Sequence, residues 1–402
     1  MRNKLSYWYW KYFWIVYRLY IVYLAYKVRK KDTIRVIFVI SELASWKTEE
    51  LFVQMFLHPR FHPIIGISKT IEVNDTEENL VGYLQKKDYP FINLIRNPNG
   101  LKDFQPDLIF YYKPYISSVG EQLCYRRNLG SLICSINYAF NTILNPKHIN
   151  HPIFHYSWYV FVENESVANS FKAMIGRVKG HNVVPTGVPL FDIYKGHLHF
   201  DDPWRDQSKR KRIIYAPHHS IKGTNAGGIE YATFLEYSEF MLNMAKKYKN
   251  DVYFSFKPHP NLYNKLIKIW GVEKTSHYYN EWYSLENSQI DTGDYYGLFQ
   301  YSDAMIHDCA SFTVEYHMTK KPVMYLISER HQKDKLNELG NNAYNVHYKG
   351  RTKSDIENFI KMIIRGEDPL SKERLHFYDS WLSLPDGKTA SERIINTILN
   401  KN

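Results

Sequence analysis

Three short segments in the second half of the chain combine imidazole, cationic and small polar side chains. They read PHHS at Pro217–Ser220, KPHP at Lys257–Pro260 and DCAS at Asp308–Ser311. Histidine can exchange a proton near neutral pH, and lysine can neutralise the charge of a phosphate. These residue types favour transfer chemistry on an anionic group, although any single histidine here could equally be a loop residue bonded to the backbone.

Each segment directly follows a short apolar run of the kind that forms a buried strand. The runs are 212–216, 252–256 and 304–307. The carboxyl ends of parallel strands lie on one edge of a sheet, where open α/β sheets bind their ligands. Three such loops facing one crevice are harder to explain by packing than any one loop alone. The residues expected there are His218, His219, Lys257, His259, Asp308 and Ser311.

The stretch 301–326 reads as strand, tight turn, helix and strand, which is the repeating unit of a parallel sheet. Ser311, Phe312 and Thr313 are expected at the N-terminus of its helix, where free backbone N–H groups and the helix dipole favour a phosphate. Glu315, one turn further on, is placed to accept hydrogen bonds from a sugar hydroxyl. The alternative is an ordinary strand–helix turn capped by Ser311.

The first half of the chain also alternates between strand and helix patterns, which predicts an α/β domain with a parallel sheet. Helical segments are expected around Thr48–Leu57 and Ser118–Arg127. Asn137 and Tyr138 follow the fourth strand on its carboxyl side, so they are candidate ligand contacts. The expected strands are Ile34–Ile40, His62–Ile67, Asp107–Tyr112, Leu132–Ile136 and Trp158–Val162.

The N-terminal stretch Leu5–Tyr26 is rich in aromatic and aliphatic residues, and Lys4, Lys11 and Arg18 recur every seven residues along it. On a helix these three cations share one stripe. Trp and Tyr favour the lipid–water boundary, and the basic residues within 27–31 favour an anionic leaflet. We predict an interfacial helix that contacts a membrane. A helix packed on the protein itself and a tilted single span are the alternatives.

The length of 402 residues predicts two to three domains, which we place at 1–31, 32–195 and 196–402. The net charge of +11 favours anionic partners such as a membrane face, nucleotide phosphates or a polyanionic polymer. No zinc-finger or RNA-recognition pattern is present, so we expect no nucleic-acid partner. The three cysteines show no pairing or metal-ligand pattern and suit a reducing compartment.

Taken together, the motifs resemble those of the CDP-glycerol:poly(glycerophosphate) glycerophosphotransferases, which build teichoic acids. The resemblance lies in YAPHHS, FKPHP, the segment Ser302–Tyr316, the following KPV and a DGK turn before the last helix. It implies two Rossmann-like domains facing a cleft, the type-B glycosyltransferase (GT-B) architecture. It also implies a membrane-associated enzyme that uses CDP-glycerol without a metal, and the chain contains no Asp-x-Asp. The family's His-Gly-Thr-Pro loop reads Asn137-Tyr138-Ala139-Phe140 here, so its histidine base has no counterpart.

The resemblance implies that glycerol phosphate moves from CDP-glycerol to a hydroxyl of a teichoic-acid-like or capsular polymer, or of a lipid-linked acceptor, with release of CMP. Lys257 and the helix start at Ser311–Thr313, beside Asp308, would bind the donor, and Glu315 would bind its ribose. His259 would contact the transferred phosphoryl group, and His218 or His219 would be the base. No cofactor is expected. The implied location is the cytoplasmic face of the bacterial plasma membrane.

Two other functions remain open from the sequence. The first is a GT-B glycosyltransferase that uses a nucleotide sugar, because both kinds of donor present a pyrophosphate and a ribose. The second is a non-catalytic, membrane-bound scaffold of a polymer-synthesis complex.

Overall fold

The computed structural model describes residues 2–43, 46–69, 77–113, 119–120, 123–143, 149–174, 180–194, 198–223, 231–293, 295–329, 336–384 and 386–400. The chain divides into two compact units. The N-terminal unit comprises Met1–Ala139, Asn145–Leu198 and Leu384–Asn402, and the C-terminal unit comprises Phe140–Leu144 and His199–Ser383. This division differs from the predicted boundary at 195/196 in three ways. The boundary lies at 198/199, residues 140–144 belong to the second unit, and the end of the chain belongs to the first.

The N-terminal unit is built on a seven-stranded sheet with strand order β3-β2-β1-β4-β5-β6-β7. Every pair of neighbours is parallel. Long runs of β-branched and aliphatic residues form its centre because both faces of a parallel sheet are covered. The strands are β1 Ile34–Ile40, β2 Phe61–Ile67, β3 Phe91–Asn93, β4 Leu108–Tyr111, β5 Leu132–Ile136, β6 Tyr159–Val162 and β7 Val183–Pro185.

Helices cover this sheet. They are α1 Arg2–Arg29, α2 Glu49–Leu57, α3 Glu77–Lys86, α4 Gly100–Phe104, α5 Pro152–Tyr156 and α6 Glu165–Met174, with the C-terminal helix α14 Ala390–Leu399. Short 3-10 segments occupy Tyr125–Arg127 and Pro189–Tyr194. The predicted helix around Ser118–Arg127 is therefore a 3-10 turn in the part that the structure describes from Leu123 on.

Helix α1 packs on the N-terminal unit along one side. Tyr17, Ile21, Ala25 and Val28 recur at helical spacing and are buried in the same core as the strands. Arg18 reinforces this contact, since its Nη1 donates to the carbonyl of Ser157 at 3.2 Å. The sequence left open the alternative of a helix packed on the protein itself, and this side of α1 agrees with it. None of the described helices has both the length and the hydropathy that crossing a membrane requires.

Helix α14 is held in the N-terminal unit at both ends. At its start, the carboxylate of Asp192 accepts hydrogen bonds from the backbone N–H groups of Ala390, at 2.9 Å, and Ser391, at 2.6 Å. At its end, Arg29 Nε donates to the carbonyl of Ile398 at 3.0 Å. Negative charge at a helix N-terminus and positive charge at its C-terminus both complement the helix dipole. The chain therefore returns to its first unit.

The C-terminal unit has a six-stranded sheet with strand order β10-β9-β8-β11-β12-β13. All neighbours are again parallel. Along the chain, β9 and β10 are added on one side of β8, and β11 to β13 are added on the other side. The topological switch point of the sheet therefore lies between β8 and β11. The strands are β8 Lys211–Ala216, β9 Val252–Phe256, β10 Ser288–Ile290, β11 Ala304–His307, β12 Val323–Leu326 and β13 Tyr348–Gly350.

Alternate residues of these strands feed two cores. In β8, Ile213 and Tyr215 face one core, and Ile214 and Ala216 face the other. Helix α8 is kinked at Gly271, whose φ of 81° a residue with a side chain rarely adopts. The helices are α7 Phe234–Lys247, α8 Leu262–Ser284, α9 Tyr296–Tyr301, α10 Phe312–Glu315, α11 Glu338–Asn345, α12 Lys353–Ile364 and α13 Ser371–Phe377.

Candidate functional site

The topological switch of the C-terminal unit brings the three polar loops to one edge of the sheet. Strand β8 pairs with β9 on one side and with β11 on the other, and Ala216 is level with His307. The loops that follow these strands therefore leave the sheet side by side. Crevices at such switch points are the usual ligand sites of open α/β sheets.

His218, His219 and His259 form a tight cluster at this edge. Their ring centroids are 4.4 Å apart for His218 and His219, 5.0 Å for His218 and His259, and 4.0 Å for His219 and His259. One ring nitrogen from each lies within 4.8 Å of the others. The ring of Tyr231 stacks on His218 at 5.2 Å. Two loops that are about forty residues apart in the chain thus contribute to one imidazole cluster.

All three imidazoles are neutral at pH 7. Burial lowers the pKa of His219 to about 4 and that of His259 to about 3, and it also lowers the pKa of His218 well below its ordinary value. Lys265, in the first turns of α8, lowers the pKa of each of the three rings further. The sequence analysis missed Lys265, which lies one helical turn beyond the KPHP loop and has no motif of its own.

Backbone amides bind two of these rings from behind. The N–H of Ser220 donates to Nδ1 of His218 at 3.2 Å, and the N–H of Asn261 donates to Nδ1 of His259 at 3.1 Å. A metal ion bound at the outer nitrogen, Nε2, would require the proton on Nδ1, where it would face the amide proton. The spacing of the three rings suits a metal ion, but these hydrogen bonds do not.

Asp308 lies behind the cluster and holds it in place. Its carboxylate is fully buried, accepts hydrogen bonds from the backbone N–H groups of His218 and Thr233, both at 2.6 Å, and accepts the Thr233 hydroxyl at 2.9 Å. Burial raises the pKa of Asp308 to about 6, and these hydrogen bonds oppose that rise. The sequence predicted that Asp308 contacts the donor. The structure instead encloses it within the protein, where it positions the His218 loop.

The helix after this loop is shorter than its predicted phosphate-binding role assumes. It spans only Phe312–Glu315 before a 3-10 turn continues to Thr319. Thr313 is buried, and its N–H donates to the carbonyl of Ala310 at 3.3 Å. The hydroxyl of Ser311 lies 3.2 Å from the sulfur of Cys309. The sequence predicts that the amide of Thr313 is free to bind a phosphate. In the structure this amide is instead hydrogen-bonded within the loop.

Tyr295 contacts the other residues that were predicted to bind the nucleotide donor. Its hydroxyl donates to the buried carboxylate of Glu315, and its ring packs against Phe312 at 5.2 Å. The ammonium group of Lys257 lies 5.6 Å from the centre of the same ring and donates to the carbonyl of Gly293 at 2.8 Å. Lys257, Phe312 and Glu315 thus surround one aromatic side chain. No local pattern in the sequence distinguishes Tyr295 from the other tyrosines.

Asn137 and Tyr138, the predicted acceptor residues, lie in the N-terminal unit. They follow β5 at the carboxyl edge of that sheet, and Tyr138 is 39% exposed. The ammonium group of Lys113, which follows β4, lies 5.1 Å from the centre of the Tyr138 ring. These two residues are therefore not part of the histidine cluster, which belongs entirely to the C-terminal unit.

The sequence model of the CDP-glycerol:poly(glycerophosphate) glycerophosphotransferase family matches residues 137–400, more than half of the chain. The chain belongs to this family. The resemblance drawn from the motifs is confirmed, and the family assignment supports an enzyme of the CDP-glycerol glycerophosphotransferase type. The match includes both loops of the histidine cluster and the loop of Asp308. No curated protein sequence is significantly similar to this glycerophosphotransferase.

Solved structures share the fold of this family member at low sequence identity. A complex of S. aureus MnaA with UDP aligns with a TM-score of 0.60 at 16% identity over 92% of this chain and 98% of that one. A histidine-to-asparagine variant of the wall teichoic acid polymerase TagF aligns with a TM-score of 0.57 at 13% identity over 92% and 89%. These likenesses confirm an α/β fold with two parallel sheets and GT-B-like relatives.

Proposed function

We propose that this glycerophosphotransferase moves glycerol phosphate from CDP-glycerol to a hydroxyl of an anionic cell-surface polymer or a lipid-linked acceptor and releases CMP. The observation that carries the proposal is the cluster of His218, His219 and His259 beside Lys257 and Lys265 at the switch between β8 and β11. Neutral imidazoles can exchange protons, and the lysines can neutralise phosphate charge. Phosphoryl transfer depends mainly on such positioning and charge stabilisation.

In the proposed reaction, the acceptor oxygen attacks the phosphorus that carries the glycerol. A new P–O bond forms, the bond from that phosphorus to the bridging oxygen breaks, and CMP leaves with the bridging oxygen. His259 donates a hydrogen bond to the transferred phosphoryl group, and His218 or His219 takes the acceptor proton. Lys257 offsets the charge that develops on the leaving phosphate. Glu315, oriented by Tyr295, accepts a hydrogen bond from the ribose.

The proposed reaction uses no metal. Lys257 and Lys265 supply the positive charge that a divalent ion would otherwise provide. The amide hydrogen bonds to Nδ1 of His218 and His259 support this, because they oppose the tautomer that a metal on the outer nitrogen requires.

We also propose that the enzyme binds the cytoplasmic face of the bacterial plasma membrane through α1. The side of α1 that faces away from the core is apolar and aromatic. Lys30 lies 4.3 Å from the centre of the Tyr26 ring, and Lys27 lies 5.4 Å from that of Tyr23, so cations border this surface. Aromatic and basic side chains in such an arrangement favour the boundary of an anionic bilayer. The exposed residues are Ile15, Val16, Leu19, Tyr20, Val22, Tyr23 and Tyr26.

The test is to incubate the full chain with CDP-glycerol and an acceptor polymer and to measure CMP release. We expect donor-dependent CMP, and a loss of turnover by about 100-fold or more in His259→Ala with CDP-glycerol binding retained. His277→Ala, an exposed histidine on α8, is the matched control. Release of a nucleoside diphosphate from a nucleotide sugar would indicate a glycosyltransferase instead. No release from any donor by folded protein would indicate a scaffold.

A further inference from the structure

The backbone determines which ring nitrogen carries the proton in two of the clustered histidines. The N–H of residue i+2 donates to Nδ1 in both His218 and His259. A backbone amide can only donate, so Nδ1 must present its lone pair, and a neutral imidazole then carries its proton on Nε2. The Ser220 hydroxyl, 2.9 Å from Nδ1 of His218, can donate to the same lone pair. Both rings therefore present an N–H donor on their outer side.

Neither of these rings can serve as a base through that outer nitrogen. Its lone pair is absent in the Nε2–H tautomer, and a second proton on Nδ1 would displace the amide that donates to it. The pKa values agree, because burial lowers that of His218 well below its ordinary value and that of His259 to about 3. His218 and His259 are thus suited to donate hydrogen bonds to an anion.

His219 differs from its two neighbours. Within the described part of the chain no hydrogen-bond partner reaches its buried Nδ1. No backbone amide of the described residues therefore fixes the proton of His219 on its outer nitrogen, as happens in His218 and His259, and that nitrogen can present a lone pair. His219 is therefore the ring of the cluster that can accept a proton.

The charges around the cluster also favour an anion. Lys265 lies one helical turn after Asn261, to whose carbonyl its backbone N–H donates at 3.3 Å and whose own N–H binds His259, and its charge lowers the pKa of all three rings. Its own pKa is lowered by burial and by Lys268, and no acidic side chain among the described residues offsets this. The carboxylate of Asp308 is enclosed behind the His218 loop. The cluster thus offers donors and an uncompensated cation toward the space in front of it.

We propose that His218 and His259 donate their Nε2–H groups to the non-bridging oxygens of the transferred phosphoryl group, that Lys265 balances its charge, and that His219 is the general base. The acceptor hydroxyl gives its proton to His219 as its oxygen bonds to phosphorus, and His219 then passes the proton to solvent. This division of roles rests on the proposed glycerophosphate transfer. It resolves which of the two neighbouring histidines is the base, and it adds Lys265 to the reaction.

Glutamine substitutions test the division, because a glutamine amide can replace an Nε2–H donor but cannot accept a proton as a base. We expect His218→Gln and His259→Gln to keep CMP release within about 10-fold of the parent, and the corresponding alanine variants to lose about 100-fold or more. We expect His219→Gln and His219→Ala to lose about 100- to 10,000-fold alike, with CDP-glycerol binding unchanged. His277→Gln is the control. Rescue by glutamine at 219 but not at 218 and 259 would overturn the proposal.

The role of Lys265 is tested by a separate set of variants. Lys265→Met should lower turnover by about 10-fold or more, and Lys265→Arg should restore most of it, because charge rather than shape is what the residue supplies. Lys268→Met, one turn away, is the matched control and should retain parent activity. Equal activity of Lys265→Met and the parent would reject its role.

A measurement that needs no turnover separates this inference from the proposed function. Imidazole ¹⁵N chemical shifts of the full chain at pH 7, assigned through the glutamine variants, report each tautomer directly. His218 and His259 should be Nε2–H, and a proton on Nδ1 of either would contradict the inference even if CMP is released. Nε2–H tautomers in a protein that releases no CMP would instead reject the proposed function alone. Tight binding of Zn²⁺ by the parent would also contradict the inference.

Discussion

The buried carboxylate of Asp308 accepts a hydrogen bond from the backbone N–H of His218 across 2.6 Å. The same carboxylate accepts the N–H of Thr233, also at 2.6 Å. One side chain at the end of β11 therefore holds the loop after β8 and the start of α7. Because Asp308 contacts the backbone of His218 rather than its ring, it determines where the imidazole lies and leaves the ring available to a ligand.

Asp308→Asn should damage both the site and the fold. Asparagine keeps one acceptor oxygen, but its amide group would face an N–H that now has no acceptor. We expect the free energy of unfolding to fall by about 1–3 kcal/mol and CMP release to fall by at least about 10-fold. Urea unfolding and the release assay measure the two effects. Asp379→Asn, at an exposed position, should change neither, and parent-like activity of Asp308→Asn would contradict its positioning role.

The pH dependence of transfer should extend to unusually low pH. The base must be neutral, and burial lowers the pKa of His219 to about 4, so protonation removes activity only as the pH approaches that value. The positive charge of Lys265 lowers this pKa further. We expect kcat/KM to fall by about 10-fold as Asp308 is protonated near pH 6, and the remaining activity to decline again only near pH 4. The profile should be taken with brief exposure to each pH, and complete loss of activity in a single step centred near 6.5 would contradict the prediction.

Three other histidines should make stability fall in acid. His307, His317 and His347 are buried, and His347 contacts both of the others. Its Nε2 lies 3.2 Å from Nε2 of His307, and its Nδ1 lies 3.3 Å from Nε2 of His317. Burial lowers the pKa of His307 and His317 to about 3 each and that of His347 well below its ordinary value. Between about pH 6.5 and 3 the unfolded chain therefore binds protons that the folded chain does not.

Each of these imidazoles should contribute a loss of up to about 1.4 kcal/mol per pH unit as the pH falls below 6.5, and nothing above it. His317→Leu should reduce the slope of the free energy of unfolding against pH by the contribution of one imidazole. Unfolding midpoints in urea at pH 7, 6 and 5 measure the slope for each protein. His376→Leu, an exposed histidine of α13, should retain the parent slope. Equal slopes for the parent and His317→Leu would show that His317 titrates normally.

The outer side of α1 should bind anionic bilayers. Leu19 and Val22 are 67% and 66% exposed on this side. The double change to serine should therefore leave the free energy of unfolding within about 0.5 kcal/mol of that of the parent. Cosedimentation with vesicles that contain phosphatidylglycerol should fall by about 10-fold or more. Val272→Ser, at a position 61% exposed on α8, is the matched control. Undiminished binding by the double variant would show that another surface carries the attachment.

The sequence alone was sufficient for the features that depend on local pattern. Apolar runs such as Ile34–Ile40 and Ala304–His307 form strands with the predicted bounds because both faces of a parallel strand are buried, so the whole run must be apolar. The order of the PHHS, KPHP and DCAS loops then places them on one edge, because parallel strands share a direction. Three-residue edge strands such as β3 and β13 were missed, since so short a segment carries no period.

Only the tertiary structure decided what each side chain does at that edge. Asp308 is a polar residue in a loop by sequence, but its three hydrogen bonds come from His218 and Thr233, which are 90 and 75 residues away in the chain. The proton positions of His218 and His259 depend on amides that a motif does not specify, and Tyr295 and Lys265 reach the site only through packing. The return of α14 to the first unit likewise rests on Asp192. Hydrogen bonds and burial depend on long-range contacts, which residue types and spacing do not encode locally.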